Sequence, residues 1–250
     1  MPKAHYSVQR DGSRRDTHGN GRPHRRHPAG DPHRQVLRPG AGNPFTFLPG
    51  QYVDVVVEGY QTIVGGYSLT SSPLHPERLH IAAKRLLDKP TSIHLNDRAQ
   101  VGDRLFIVGP SGEFTWTPDM GTNLVLIAGG IGVTPFMSMI HYMDEAVPKG
   151  RATLIHSARS PSELLFRDEL TALTDRNPNI RVAFTVTRPG AEPWTGHTGR
   201  INEDLLRSVG VDSSALYYVC GPAGFPESIG DLLQRLGVYT AARMRAESWT

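Results

Sequence analysis

Residues 124–135 read LVLIAGGIGVTP. The apolar run Leu124–Ala128 passes directly into Gly129, Gly130 and Gly132, then Thr134, Pro135 and the segment FMSMIHYM. A strand buried on both faces of a parallel sheet reads as a continuous apolar run. Glycines after such a strand let backbone N–H groups approach a phosphate, and the following helix adds the positive end of its dipole. Proline fits the first helical turn, where its missing N–H would have no partner. The stretch therefore predicts the pyrophosphate cradle of a dinucleotide site. Glycine turns between strand and helix also occur with no ligand, so the flanking sequence has to decide.

The chain has 250 residues, enough for two modest domains. No apolar run reaches the length of a membrane span, and no charged-then-apolar leader opens the chain. The expectation is a cytoplasmic protein without a membrane partner. A single cysteine, Cys220, excludes a disulfide framework, a cysteine zinc site and a cysteine-ligated iron–sulfur cluster. The net charge of +3 is unevenly spread: residues 1–38 carry nine Lys/Arg against three Asp/Glu, so the remainder is net acidic. A nucleic-acid partner would rest on that basic segment alone, and none is expected.

Residues 1–38 hold five of the eleven histidines and show no period of 2 or 3.6, which predicts a disordered basic segment. From Phe45 the character changes. Gln51–Val57, Gly66–Ser72, Arg78–Arg85 and Asp103–Gly109 read as short strands, with a short helix over Thr91–Arg98. Strands at this spacing suggest a small antiparallel barrel, bounded here as residues 39–117. After Pro118 strands (Asn123–Ala128, Ala152–Ser157, Arg181–Thr187, Ala215–Cys220) alternate with helices (Pro135–Glu145, Ser160–Thr174, Asn202–Val209, Phe225–Leu236). That alternation implies an open parallel α/β sheet over residues 118–250. Asn202 is placed to cap its helix, and Ser160 with Glu163 matches a capping box.

A β-barrel followed by a nucleotide-binding α/β domain, with the local motifs below, resembles the ferredoxin–NADP reductase superfamily. Within it the chain is most similar to oxidoreductase NAD-binding-domain-containing proteins and actinobacterial FAD-dependent flavin reductases. The resemblance implies a flavin-binding barrel and a Rossmann-like NAD(P)-binding domain. GGYSLTSSP, residues 65–73, resembles the family's Arg-x-Tyr-Ser flavin motif. It implies that Tyr67 packs on the isoalloxazine, that the Ser68 hydroxyl sits near flavin N5, and that Leu69 belongs to the same cofactor segment. A flat aromatic covers a flat ring, and a hydroxyl can bond a ring nitrogen in either redox state. In KRLLDKPTSIHL, residues 84–95, Thr91 and Ser92 match the helix start that holds flavin phosphates in the family, and Lys84 adds charge. YYVCGPAGF, residues 217–225, resembles the Cys-Gly-Pro turn, which implies that Cys220, Gly221 and Pro222 lie beside the nicotinamide. Glu247-Ser248-Trp249 resembles the family's acidic-x-aromatic ending, with Trp249 stacked near the flavin and Glu247 bonding the motif serine. A Ser68–Glu247 pair would form a proton route.

Two departures stand out. The motif arginine is replaced by Gly65, so its charge has to come from Lys84, Arg85 or Lys89 if flavin phosphate is to be neutralised. The family barrel also needs two strands before Phe45, where residues 1–38 do not read as strands. Two explanations stay open. One is a segment read out of frame, since a one-base shift turns His24-Arg25-Arg26-His27 into a strand-like Thr-Val-Val-Thr. The other is a genuine disordered extension ahead of a three- or four-stranded remnant barrel. A barrel lacking two strands would have open edges.

The resemblance implies hydride transfer from NAD(P)H to FAD, then electron release to a separate acceptor: a ferredoxin, an oxygenase component or a small molecule. Ser68, Cys220 and Glu247 are the expected catalytic residues. Gly129, Gly130, Gly132, Thr134, Pro135, Gly221 and Pro222 are expected to hold the dinucleotide. NADP requires positive charge at the ribose 2′-phosphate, whereas NAD prefers an acid. Arg159, Arg188 and Arg200 with Ser157 favour NADP, with NAD open. No metal is expected. Two other readings remain: a non-catalytic dinucleotide-binding or interaction protein with a decayed flavin site, and an electron-transfer subunit of a larger complex.

Overall fold

Val53, Val55 and Val57 alternate with Tyr52, Asp54 and Val56, and the three odd-numbered valines are the buried ones. This period of two builds one inward-facing wall of a barrel. The computed structural model describes residues 3–9, 34–39, 45–57 and 66–249. Its first sheet has six strands: β1 (Lys3–Gln9), β2 (Arg34–Pro39), β3 (Tyr52–Val57), β4 (Gly66–Ser68), β5 (Leu79–Ala82) and β6 (Arg104–Ser111). They are ordered β4-β3-β6-β1-β2-β5, with every pair antiparallel. A bridge between Leu69 and Ile81 joins the chain leaving β4 to β5 and closes the sheet on itself. Closure leaves no free edge at that seam. Leu69, Leu79, Ile81, Leu105 and Ile107 fill the interior with the three valines.

Two stretches of the segment expected to be disordered, Lys3–Gln9 and Arg34–Pro39, are strands, and they supply the two strands that the barrel was expected to lack. β1 pairs with β6 from Lys3↔Val108 to Ser7↔Arg104 and with β2 from Tyr6↔Pro39 to Gln9↔Val36, while β2 pairs with β5. Ladder pairing uses main-chain groups, which histidine and arginine carry like any other residue, so apolar alternation is not required. Residues 10–33, including His24–His27, lie outside the described residues, as does Gly65.

The second sheet is parallel throughout. It comprises β7 (Asn123–Gly129), β8 (Arg151–Ala158), β9 (Ile180–Val186), β10 (His197–Thr198), β11 (Leu216–Pro222) and β12 (Met244–Trp249), ordered β10-β9-β8-β7-β11-β12. Helices α2 (Thr134–Ala146), α3 (Arg167–Arg176), α4 (Glu203–Ser208) and α5 (Phe225–Arg235) connect its strands; a single turn, α1 (Pro90–Ile93), belongs to the barrel side. Leu124 to Ala128 on the central β7 are buried, as a strand covered on both faces requires. The Asn202 side chain accepts from the Leu205 N–H at 2.9 Å and caps α4. The Ser160–Glu163 capping box does not form. Ser160 opens a three-residue turn without a side-chain cap, and α3 starts at Arg167 because Phe166 takes a left-handed φ of 58°. Among the described residues, no helix is long and apolar enough to cross a membrane.

Leu48-Pro49-Gly50-Gln51 joins the two sheets. The Gln51 N–H bonds Leu48 O at 3.1 Å across Pro49 and Gly50, and Gly50 has φ +98°. Proline followed by glycine with positive φ is the type II turn. Its two middle residues each reach across. Gly50 N–H donates to Ser138 Oγ on α2 at 2.8 Å, and Pro49 O accepts from Trp116 N–H at 3.1 Å. Trp116 is fully buried and donates its indole N–H to Gly121 O at 2.8 Å.

Candidate functional site

The carboxyl ends of β7 and β11 in the parallel sheet face β3 and β4 of the barrel across a cleft of about 510 Å³. Tyr52, Asp54, Gly66, Tyr67 and Ser68 line it from the barrel, with Lys84 and Lys89 from the loop after β5. Ile131, Gly132, Thr134, Cys220, Glu247, Ser248 and Trp249 line it from the other side. In open α/β sheets, ligands bind outside the carboxyl ends of the strands.

The glycine turn has little room. A Cβ on Gly132 would lie 2.3 Å from Cys220 O and 2.6 Å from its carbonyl carbon, so the turn packs directly on the end of β11. Gly130 has φ +56°, and the edge of Trp249 comes within 3.9 Å of where its Cβ would stand. Gly129 and Gly221 both approach Phe225, with a Cβ on Gly221 only 2.3 Å from that ring. Gly132 and Thr134 line the cleft, whereas Gly129, Gly130, Pro135, Gly221 and Pro222 are outside its lining.

Strand pairing sets the chemistry at the mouth. β12 lies parallel to β11 with Cys220 opposite Glu247, Gly221 opposite Ser248 and Pro222 opposite Trp249. Burial pushes the Cys220 thiol up to about 12, helped by the adjacent Glu247 charge. Burial also raises the Glu247 carboxyl above its ordinary value. Cys220 is 3% exposed and is the only cysteine, so iodoacetamide at pH 8 should leave the folded protein unlabelled. The thiolate fraction there is negligible and access is closed. Full labelling after denaturation, read by mass spectrometry, is the matching control; stoichiometric labelling of the native protein would refute the burial. Ser68 and Glu247 share the cleft, yet no direct hydrogen bond joins them among the described residues. Lys84 Nζ stands 6.0 Å from the Trp249 ring centroid, a cation–π contact that spans the two domains.

The remaining predicted flavin residues divide. Tyr67 is half-buried against the barrel core, and its phenol is pushed up to about 12 by burial. Leu69 is wholly inside that core and does not reach the cleft. Ser92 lines the cleft, but its hydroxyl accepts from Leu86 N–H and lies within bonding distance of Leu86 O and Lys89 O, so it shapes the 86–89 loop. Thr91 is buried with its hydroxyl unpartnered and lies outside the cleft lining. Arg85 is committed to Asp97 through a two-pronged contact at 2.8–2.9 Å, leaving Lys84 and Lys89 as the cleft's cations.

Residues 126–230 match the model of the oxidoreductase NAD-binding domain. The chain is 30% identical over 197 residues to the glycine betaine monooxygenase reductase subunit of Chromohalobacter salexigens, covering 77% of this chain and 54% of the relative. It is 32% identical over 204 residues to the flavohemoprotein of Bordetella pertussis, covering 77% and 50%. The FAD/NAD-binding domain of nitric oxide dioxygenase from Vibrio cholerae superposes with a TM-score of 0.75 at 25% identity, covering 86% of this chain and 91% of that one. A ferredoxin NADP+ reductase from Neisseria gonorrhoeae, solved with FAD and NADP, shares the fold at a TM-score of 0.72 and 20% identity over 99% of this chain and 98% of that one. The chain has the two-domain fold of the ferredoxin–NADP reductase superfamily, and its second domain matches the oxidoreductase NAD-binding domain. It spans about half the length of the curated relatives it matches.

The predicted adenosine-side residues gather at the ends of β8 and β9. Arg188 N–H bonds Arg159 O at 2.7 Å, which sets two exposed arginines side by side. Ser157 pairs in register between Gly129 and Thr185. Arg200 is not with them; it lines a separate hollow with His197, Asn202 and Asp204. Sequence reasoning missed Tyr52, Asp54 and Gly66. The available signal was the alternation of β3, which turns Tyr52 and Asp54 away from the valine-filled interior. A Cβ on Gly66 would lie 2.5 Å from the Tyr52 ring, so glycine there lets that ring lie flat against the strand.

Proposed function

We propose that this protein is an FAD-dependent NAD(P)H oxidoreductase that takes a hydride from the nicotinamide and passes electrons to a separate acceptor. The observation that carries this reading is the cleft itself. It sets the Tyr67-Ser68 strand of a barrel against Gly132, Cys220 and Glu247 at the carboxyl end of a parallel sheet. The residues fit a flavin. Tyr52, Tyr67 and Trp249 offer flat apolar faces, the Trp249 indole N–H is buried without a partner, and Lys84 and Lys89 supply positive charge where the motif arginine is missing.

Tyr67 and Ser68 would hold the isoalloxazine, and Lys84 with Lys89 its phosphates. The bound flavin supplies a ring that accepts a hydride and releases electrons singly or in pairs. The chain's own work is orientation. The Gly130–Thr134 turn would grip the dinucleotide, while Cys220, a neutral and compact side chain, leaves room for the nicotinamide ring. Glu247 holds a proton more tightly than an exposed carboxylate, which suits it to exchange a proton beside Ser68. Holding both rings in contact range converts an encounter into an intramolecular step. Arg159 and Arg188 favour NADPH over NADH, since paired guanidiniums suit a 2′-phosphate.

An acceptor outside the chain is supported by the relatives named reductase subunits of a monooxygenase. The test is anaerobic titration of FAD-reconstituted protein with NADPH and with NADH. Bleaching of the flavin absorbance is expected, faster with NADPH. A protein that takes up no FAD, or whose flavin stays oxidised with both dinucleotides, overturns the proposal.

A further inference from the structure

His156 lies on β8 directly beneath the glycine turn and is fully buried. Its Nε2 is 3.0 Å from Gly130 O. A carbonyl oxygen only accepts, so Nε2 carries the hydrogen. Among the described residues Nδ1 is buried without a partner, and burial pushes the imidazole down to about 4, so the ring is neutral and fixed in one tautomer. No part of the mechanism above uses this side chain.

The geometry of the turn gives it a role. In a trans peptide the C=O and the following N–H point in opposite directions. Gly130 O is drawn down onto His156, so the Ile131 N–H must point the other way. The next peptide is held likewise: Thr134 Oγ1 donates to Ile131 O at 2.9 Å, and the Thr134 N–H reaches the same oxygen. Gly130 takes φ +56°, and residues 130–133 close a 3-10 turn whose i→i−3 bonding engages the Gly132 N–H, so the Ile131 N–H is the one offered to an anion. Ile131 and Gly132 both line the cleft.

We propose that His156 is a positioning residue for the dinucleotide: its Nε2–H anchors Gly130 O from below and so aims the Ile131 N–H at the pyrophosphate. The inference rests on the reading of the cleft as a nicotinamide-dinucleotide site. It assigns the strength of dinucleotide binding to a side chain that never touches the ligand.

The test is calorimetric titration of the FAD-reconstituted protein with NADP+ and with NAD+, for wild type, His156→Phe, His156→Gln and His156→Asn. Phe keeps a ring and loses the donor, and should weaken binding about tenfold. Gln restores an N–H of similar reach and should recover most of the affinity; Asn is one methylene shorter and should not. Flavin content should be unchanged, and the reduction rate at saturating dinucleotide should stay within about twofold, because the defect lies in binding. Equal affinity of the Phe variant and wild type overturns the inference. Should the Phe variant not fold, equal affinities of the Gln and Asn variants overturn it instead. Wild type that binds neither dinucleotide removes the proposed function and this inference together, whereas wild type that binds beside an unaffected variant removes only the inference.

Discussion

Gly132→Ala should abolish most dinucleotide-driven flavin reduction while leaving flavin uptake intact. The added Cβ would stand 2.3 Å from Cys220 O, 2.6 Å from Cys220 C and 3.0 Å from Gly221 N, and all three are backbone atoms. None can rotate away, so the turn and the end of β11 must separate. That displaces the glycine turn and the Cys220 wall together. A shift of about 1 Å in groups that align two reactants costs roughly 100-fold in rate. Stopped-flow reduction with NADPH should therefore slow by about that factor, with a higher dinucleotide requirement. Gly230→Ala is the comparator. That glycine lies within α5, its nearest neighbour to an added Cβ is Met244 Cε at 3.7 Å, and alanine is the better helix former. Its rate should match wild type. A Gly132→Ala protein that reduces its flavin at the normal rate would show that the turn does not define the nicotinamide site.

Gly50→Ala should be the most destabilising single methyl addition at the join between barrel and parallel sheet. Gly50 has φ +98°, which an alanine resists. Its Cβ would also fall 2.1 Å from Phe114 O and 2.7 Å from Met139 Cε. Backbone strain and overpacking each cost about 1–3 kcal/mol, so a loss of roughly 3 kcal/mol or more is expected. In a chain of this size that lowers Tm by about 10 °C. The same substitution pulls Gly50 N–H away from Ser138 Oγ, a bond that ties the barrel turn to α2. Flavin reduction should fall with stability, because α2 begins at the cleft with Thr134. Ser138→Ala removes only the acceptor and should cost about 1 kcal/mol. Differential scanning calorimetry of the two variants gives the ranking, and equal Tm values would contradict it.

Much of this architecture was legible because its elements have strong periods. The apolar runs at Leu124–Ala128 and Leu216–Cys220 could be little other than buried strands, and Gly66, Gly132 and Gly221 each mark a contact too close for a side chain. The elements that escaped lack such a pattern. β12 reads MRAESW, polar and alternating weakly, because it is an edge strand held by β11 on one side. β10 has only two residues. β1 and β2 are strands through main-chain pairing, with side chains that advertise nothing. The capping box failed for a local reason: Phe166 in the left-handed region breaks the helix that Ser160 would have started. Within the cleft, Cys220, Glu247 and Trp249 were found by motif. Tyr52 and Asp54 were not, since an outward-facing residue on a barrel strand looks like ordinary surface until a second domain stands opposite. Arg200 failed the other way: it lines a separate hollow with His197 and Asn202, which Arg188 does not reach.

The edge position of β12 also bears on motion. The main chain of Glu247 and Trp249 is paired with β11 on one flank of the strand. Edge strands sit at the low end of the local-opening free-energy scale, well below global unfolding. Displacing these few residues would withdraw the carboxyl and the indole from the cleft and strip the Trp249 and Met244 side chains from the cores of the parallel sheet. The completeness of the site is therefore tied to the docking of one short terminal strand.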